Sequence, residues 1–175
     1  MNNKFFIYGV AGAGKSWFSL HLKHDLDLPL ISGDYIRSVA QLENNIEANP
    51  ELYYNHDYVT DNSIQDILNI RHLVKPHFLH ELNFYMGGII VEGSCLDPNI
   101  IIELGKTVLI ITEDESQHQK QYFQHRALDD KAKAKFKVKR LKQEYLIEEA
   151  KKLGIPTINN SGTIDQILKQ FHNLS

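Results

Sequence analysis

The residues best equipped for chemistry stand together near the start of the chain. Gly9-Val10-Ala11-Gly12-Ala13-Gly14-Lys15-Ser16 has the spacing G-x-x-x-x-G-K-S. Glycines let successive backbone N–H groups turn inward around phosphate oxygens without Cβ clashes. A lysine placed as Lys15 is reaches the β- and γ-phosphates of a nucleoside triphosphate, and a hydroxyl placed as Ser16 is holds its Mg²⁺. Gly9, Val10, Ala11, Gly12, Ala13, Gly14, Lys15 and Ser16 are therefore read as a nucleotide-binding loop for ATP and Mg²⁺. Lys15 is its catalytic cation and Ser16 its contact to the metal.

Such a loop works only between a strand and a helix, because the helix start adds unpaired N–H groups and a positive dipole end. Lys4 to Tyr8 reads as that strand and Trp17 to Asp25 as that helix. Leu28–Ser32 is an apolar run expected as the second strand, and Gly33-Asp34 opens a helix over Tyr35–Leu42. Asn44–Asn55, with Asn49-Pro50, reads as irregular. A long helix follows from a cap at Asp61, its apolar face running from Ile64 to Tyr85, with a kink or break at Pro76 and a stop at Gly87-Gly88. Ile89–Glu92 is the third strand, Asp97-Pro98 starts a short helix, and Thr107–Thr112 is the fourth strand. Asp114–Gln124 reads as a helix and the polar Ala127–Lys137 as the natural place for a mobile, short helical lid. A helix with its apolar face from Val138 to Leu153 ends at Gly154, ahead of a fifth strand, Ile155–Ile158, and a closing helix, Thr163–His172.

Strands alternating with helices imply an α/β fold, a parallel sheet covered on both faces. Ligands in such sheets bind beyond the carboxyl ends of the strands. Asp34, just past the second strand, can accept a proton from an attacking hydroxyl, and Arg37, three residues on, can grip an anionic substrate group. The alternative for Asp34 is a helix cap, and for Arg37 a surface charge. Glu92 closes the third strand, where it can orient water, Mg²⁺ or substrate, or serve as a rim carboxylate.

Phosphoryl transfer needs positive charge on the transferring group beyond that of the metal. Arginine is scarce: Arg37, Arg71, Arg126 and Arg140 stand against fifteen lysines. Arg126, at the edge of the lid, is the first choice for a catalytic and nucleotide-binding arginine, with Arg140 second. Arg71 can face substrate or solvent. The lysines at 131, 133, 135, 137 and 139 read as a solvated face. His77, His80 and Glu81 sit close on one helix but lack the i, i+4 histidine pair of a zinc-protease motif, so they read as structural or surface groups. Cys95 has no base beside it in sequence, which disfavours a nucleophile.

The length of 175 residues fits one domain, with a lid at about 124–140. A formal charge of −3 gives no overall pull toward nucleic acid or an anionic membrane. With one cysteine no internal disulfide can form, which suits a reducing cytosol, and Met1-Asn2-Asn3-Lys4 leaves no room for a signal peptide before the first strand. The expected location is therefore cytoplasmic.

Several short pieces, in order, resemble a known group. The glycine loop, Ile31-Ser32-Gly33-Asp34-Tyr35-Ile36-Arg37, Val91-Glu92-Gly93, Glu113-Asp114-Glu115 with His118, Phe123 and Arg126, and Ile155-Pro156-Thr157-Ile158-Asn159 are similar to the P-loop kinase core of 2-phosphoglycerate kinase and its relatives. The segment Gly33–Arg37 is similar also to the 5′-hydroxyl polynucleotide kinases. The resemblance implies a three-layer P-loop fold with a five-stranded parallel sheet in the order 2-3-1-4-5. It also implies an arginine-bearing lid between Arg126 and Arg140, and places Asn159 and Asn160 near the adenine.

Together these readings lead to an ATP-dependent kinase. Lys15, Asp34 and Arg126 are catalytic, and Asp34, Arg37 and Glu92 hold a small, anionic hydroxyl acceptor. One alternative is a polynucleotide 5′-kinase using the basic 131–142 stretch, which lacks an evident aromatic stacking platform. Another is a nucleotide-binding regulatory module, although the Asn-Lys-x-Asp of a guanine-reading switch is absent.

Overall fold

The computed structural model describes residues 3–43, 63–85 and 87–174. Five strands, β1 (Lys4–Tyr8), β2 (Leu30–Ser32), β3 (Ile89–Gly93), β4 (Lys106–Ile111) and β5 (Thr157–Asn159), form one parallel sheet. Their order is β2-β3-β1-β4-β5, as the resemblance implies. Among the described residues, seven helices surround it: α1 (Lys15–Leu26), α2 (Gly33–Glu43), α3 (Ser63–Leu82), α4 (Pro98–Leu104), α5 (Glu115–Phe123), α6 (Asp130–Leu153) and α7 (Ile164–His172).

Alternation along the strands sorts the core into two layers. Phe6, Tyr8, Ile89, Val91, Leu109 and Ile111 point to one face, where they meet residues of α2, α3, α4 and α6. Ile7, Ile90, Val108, Ile110 and Ile158 point to the other, against Phe18 and Leu22 of α1 and Ile167 and Phe171 of α7. Because β1 is central, the loop that leaves it opens between the ends of β3 and β4. Register sets Ser32 beside Glu92, and Tyr8 beside Gly93, so the residues after β1, β2 and β3 emerge side by side.

Of the kink or break expected at Pro76, the break does not occur: α3 runs from Ser63 to Leu82 with Pro76 inside. Pro76 and His72, whose carbonyl loses its partner, both lie on the exposed side, where water can serve that carbonyl. The chain then leaves the helix through turns at Asn83, Phe84 and Tyr85, before Gly87-Gly88 is reached. The readings of Asn44–Asn55 and of a cap at Asp61 lie outside the described residues.

The 127–137 stretch, expected as a short helical lid, is helical from Asp130 on, as the start of the long α6. The Asp129 carboxylate caps it by accepting the Ala132 N–H at 2.7 Å. Alternating lysine and alanine are both strong helix formers. Their polarity is that of a helix face, not of a loop, and the 24 residues of α6 carry this segment back across the sheet ends.

Arg71 faces neither substrate nor solvent. It is buried on α3 and forms a bidentate pair with Glu149 of α6, at 2.8 and 2.7 Å. With Lys142 at 4.0 Å from Asp66, this pair ties the middle and the last turns of α6 to α3.

Candidate active site

The glycine loop is a turn whose shape needs glycine. Gly9, Gly12 and Gly14 have φ of 149°, 85° and 88°. A Cβ on Gly9 would strike the carbonyl oxygen of Ile110, and one on Gly14 the side-chain amide of Asn160. Three of the loop's carbonyls are drawn away by the protein itself. Val10 O accepts from Lys15 Nζ at 3.0 Å, Ala13 O from Asn160 Nδ2 at 3.1 Å, and Ala11 O lies 3.0 Å from His118 Nε2. With those carbonyls held, and apart from the Ala13 N–H, which donates to Val10 O at 3.3 Å, the loop and the first turn of α1 offer amides that have no intrahelical acceptor.

The His118 tautomer follows from its partners. Arg140 Nη1 lies 3.3 Å from Nδ1, and a guanidinium can only donate, so Nδ1 accepts and Nε2–H donates to Ala11 O. Burial holds the imidazole below its usual pKa, keeping it neutral; the Ala11 hydrogen bond works the other way. Arg140 itself donates to the carbonyls of Thr112 and Glu113 at 2.8 and 3.2 Å. It braces the histidine from below, and Arg126, not Arg140, is the arginine on the cleft.

Lys15 is buried, and burial lowers its pKa, while Glu92 and then Asp34 favour its charged form. Ser16 beside it is exposed toward the cleft. Asp34 enters from the start of α2. The capping alternative falls to another residue: Ser32 Oγ accepts the Asp34 N–H at 3.2 Å. The Asp34 carboxylate, 68% exposed, instead meets Arg37 Nη2 at 3.3 Å. Cys95 clamps this corner, its Sγ donating to Gly33 O at 3.3 Å, and burial pushes its thiol up to about 12. The thiol is therefore not a nucleophile.

Lys15, Ser16, Asp34, Arg37, Glu92 and Arg126 all line one cavity of ≈ 640 Å³. Arg126 stacks on the ring of Tyr122, 4.4 Å from its centroid, and donates to the Tyr122 carbonyl at 2.6 Å. Sequence reasoning missed three further members of the wall. Lys131, Lys135 and Lys139, read as part of a solvated face, line the cavity from α6, while Lys133 and Lys137 are exposed on the helix away from it. The signal was their spacing of four, which a helix stacks on one side.

Of the candidates outside the glycine loop, Asn159 alone does not line this cavity; within the loop, Gly9, Val10, Ala13 and Gly14 do not line it either. Its Oδ1 accepts from the Glu113 N–H at 3.2 Å and from Ser161 Oγ at 2.8 Å, joining the ends of β4 and β5. Asn160, buried against Gly14, is the neighbour that touches the glycine loop.

Solved structures share this fold over nearly the whole chain. Shikimate kinase from Bacteroides thetaiotaomicron superposes with a TM-score of 0.61 at 17% identity, over 98% of this chain and 96% of its own. The fold is that of the P-loop kinases. Deoxyadenosine kinase from M. mycoides with bound dATP gives 0.59 at 12% identity, over 98% of each chain. A gluconokinase from Sinorhizobium meliloti 1021 gives 0.54 at 14%, over 96% of this chain and 88% of that one. No protein-family model and no curated protein matches the sequence. At such identities the likeness carries the fold, and the finer resemblance to 2-phosphoglycerate kinase and polynucleotide kinases rests on the short motifs alone. Among the described residues, no helix is long and apolar enough to cross a membrane.

Proposed function

We propose that this protein is an ATP-dependent phosphotransferase that moves the γ-phosphate of ATP to a hydroxyl of a small, anionic metabolite. The observation that carries the reading is the convergence of Lys15, Ser16, Asp34, Arg37 and Arg126 on one cavity. Its ≈ 640 Å³ lies within the usual range of small-molecule sites. The structural neighbours are named for shikimate, gluconate and deoxyadenosine, all compact hydroxyl acceptors, which fits a small acceptor here.

The glycine loop and Lys15 take the phosphate chain, and Lys15 exchanges its bond to the Val10 carbonyl for a phosphate oxygen. The exposed Ser16 hydroxyl and the Glu92 carboxylate are hard oxygen donors on this wall beside the glycine loop, so the donor set suits Mg²⁺. When bound, the ion offsets charge on the transferring group. Asp34 accepts the proton as the acceptor oxygen bonds to the γ-phosphorus and the bond to the β,γ-bridging oxygen breaks. Arg37 orients both Asp34 and the acceptor. Arg126, preset by its stack on Tyr122, reaches over the same cavity to offset developing charge. Asn159 contributes to the nucleotide side through the loop it braces, beside Asn160.

The test is a screen of hydroxyl metabolites, with single-stranded 5′-hydroxyl oligonucleotide included, for acceptor-dependent ADP release. The expected result is turnover with a small anionic compound. Turnover with the oligonucleotide alone would move the reading to a polynucleotide kinase. Nucleotide binding with no acceptor across the screen would move it to a regulatory module.

A further inference from the structure

Trp17 is the only tryptophan in the chain, and it follows Ser16 directly in the first turn of α1. A side chain of this size, with about 150–250 Å² to cover, normally packs into a core. Trp17 is instead 43% exposed, while Lys15, Phe18 and Ser19 around it are buried. Its ring meets His21, one turn on, in a T-shaped pair at 5.0 Å and 71°. Such a pair covers at most one face of the indole, so another face stands open.

The position of Trp17 decides what that face can meet. The indole is not on the lining of the cavity that holds Asp34, Arg37 and Glu92, so it lies off the acceptor side. Elsewhere the loop is backed by the protein: His118 holds Ala11 O, and Asn160 holds Ala13 O and stands against Gly14. A phosphate chain on such a loop puts its outer phosphates at the lysine and its α-phosphate on backbone amides near the helix start. The Phe18 N–H already bonds Gly14 O at 3.0 Å, so the amides before it, of Ser16 and Trp17, are the ones left for that phosphate. The nucleoside hangs from the α-phosphate, and the side chain at the Trp17 amide is the indole.

Resting on the nucleotide-binding half of the phosphotransfer reading, we propose that Trp17 is the platform on which the base of the donor nucleotide stacks. The open aromatic face takes the flat base while the loop takes the phosphates, and His21 steadies the indole. Stacking needs a π-face and no particular hydrogen-bond pattern. The site therefore ranks bases by area: ATP and GTP bind alike, and both bind ahead of CTP.

The experiment titrates Mg²⁺ with a non-hydrolysable ATP analogue, and separately Mg²⁺ with inorganic tripolyphosphate, following tryptophan emission and heat. As the lone tryptophan, Trp17 reports without background. The analogue is expected to change the emission and to bind at least about tenfold tighter than tripolyphosphate, which lacks a base. Trp17→Ala should weaken the analogue about tenfold and leave tripolyphosphate within about twofold, and Trp17→Phe should recover most of the loss. The matching CTP analogue should bind wild type more weakly than the ATP one, with the difference lost in Trp17→Ala. Equal affinity of the ATP analogue for wild type and Trp17→Ala returns the indole to the exposed apolar surface it shares with Leu20, and tighter binding by the variant makes it an obstruction. Either result overturns the proposal. So does an equal loss of both ligands in Trp17→Phe, because the residue then serves the loop and not the base. If wild type binds tripolyphosphate and the analogue no tighter, this proposal fails alone. If it binds neither, the phosphate-loop reading fails and this proposal with it.

Discussion

His118 Nε2 lies 3.0 Å from the carbonyl oxygen of Ala11, across 107 residues of sequence. The contact holds one peptide of the glycine loop outward, and Arg140 beneath fixes which nitrogen donates. His118→Ala should therefore raise the dissociation constant for Mg–ATP about tenfold, as loss of roughly 1.4 kcal/mol of positioning would. His118→Gln, which keeps a donor, should recover part of it. Calorimetry on folded variants checks this, and unchanged affinity in His118→Ala would remove the bracing role.

Asp34 is the group assigned to take the acceptor's proton. Asp34→Asn keeps the shape and loses the base, so nucleotide binding should persist while transfer falls by about a hundredfold or more. Single-turnover transfer with the acceptor found in the screen measures it. Transfer at a similar rate would return Asp34 to a surface role.

The lysines of α6 set a pH dependence of stability. Lys139 at about 7 and Lys142 at about 8 are both depressed, chiefly by burial. The unfolded chain holds these protons up to about pH 10.4, so it binds more protons than the folded chain above pH 7. Stability should then rise as pH increases from 7 toward 9. Cys95 acts in the opposite sense: burial pushes it up to about 12, so stability is lost where the unfolded thiol ionises, above about pH 9. The two lysines outweigh the one thiol until they lose their protons in the unfolded chain as well, so melting temperature against pH should peak near about pH 10. Lys139→Gln should melt higher than wild type at pH 7, with the gap closing toward pH 10. An identical slope in the variant would contradict the assignment.

Arg71 and Glu149 form the buried pair that seats α6 on α3. Arg71→Met leaves Glu149 as an uncompensated charge near the buried Tyr8, and should cost about 3 kcal/mol in urea unfolding. The double variant Arg71→Met/Glu149→Leu should recover most of that. If the double variant is as unstable as the single, the pair contributes by packing rather than by charge.

How much of this was legible in the sequence depended on distance along the chain. The glycine loop is contiguous, so its chemistry could be read at once. Asp34, Arg37 and Glu92 follow strands whose order and direction bring them to the same edge, and a strand-by-strand reading found them. The lysines of α6 were hidden because their alternation with alanine invites a period of two. A helix projects every fourth residue inward, and that fact enters only once Asp129 is known to cap one. His118 on Ala11, Asn160 on Ala13 and Arg71 on Glu149 join residues 107, 147 and 78 positions apart. No local pattern encodes such pairs. Pro76 allowed either a kink or a break, and the helix continues through it because its missing N–H falls on the exposed side of α3, where water can serve the freed carbonyl.

The central claim is that Lys15 and the glycine loop hold a triphosphate from which phosphate is passed to a hydroxyl in the same cavity. It is tested most directly by following the label from γ-labelled ATP into acceptor, in wild type and Lys15→Ala side by side. The account predicts labelled acceptor and matching ADP from wild type, and a loss of about a thousandfold or more in Lys15→Ala. Equal transfer by the two proteins would contradict it.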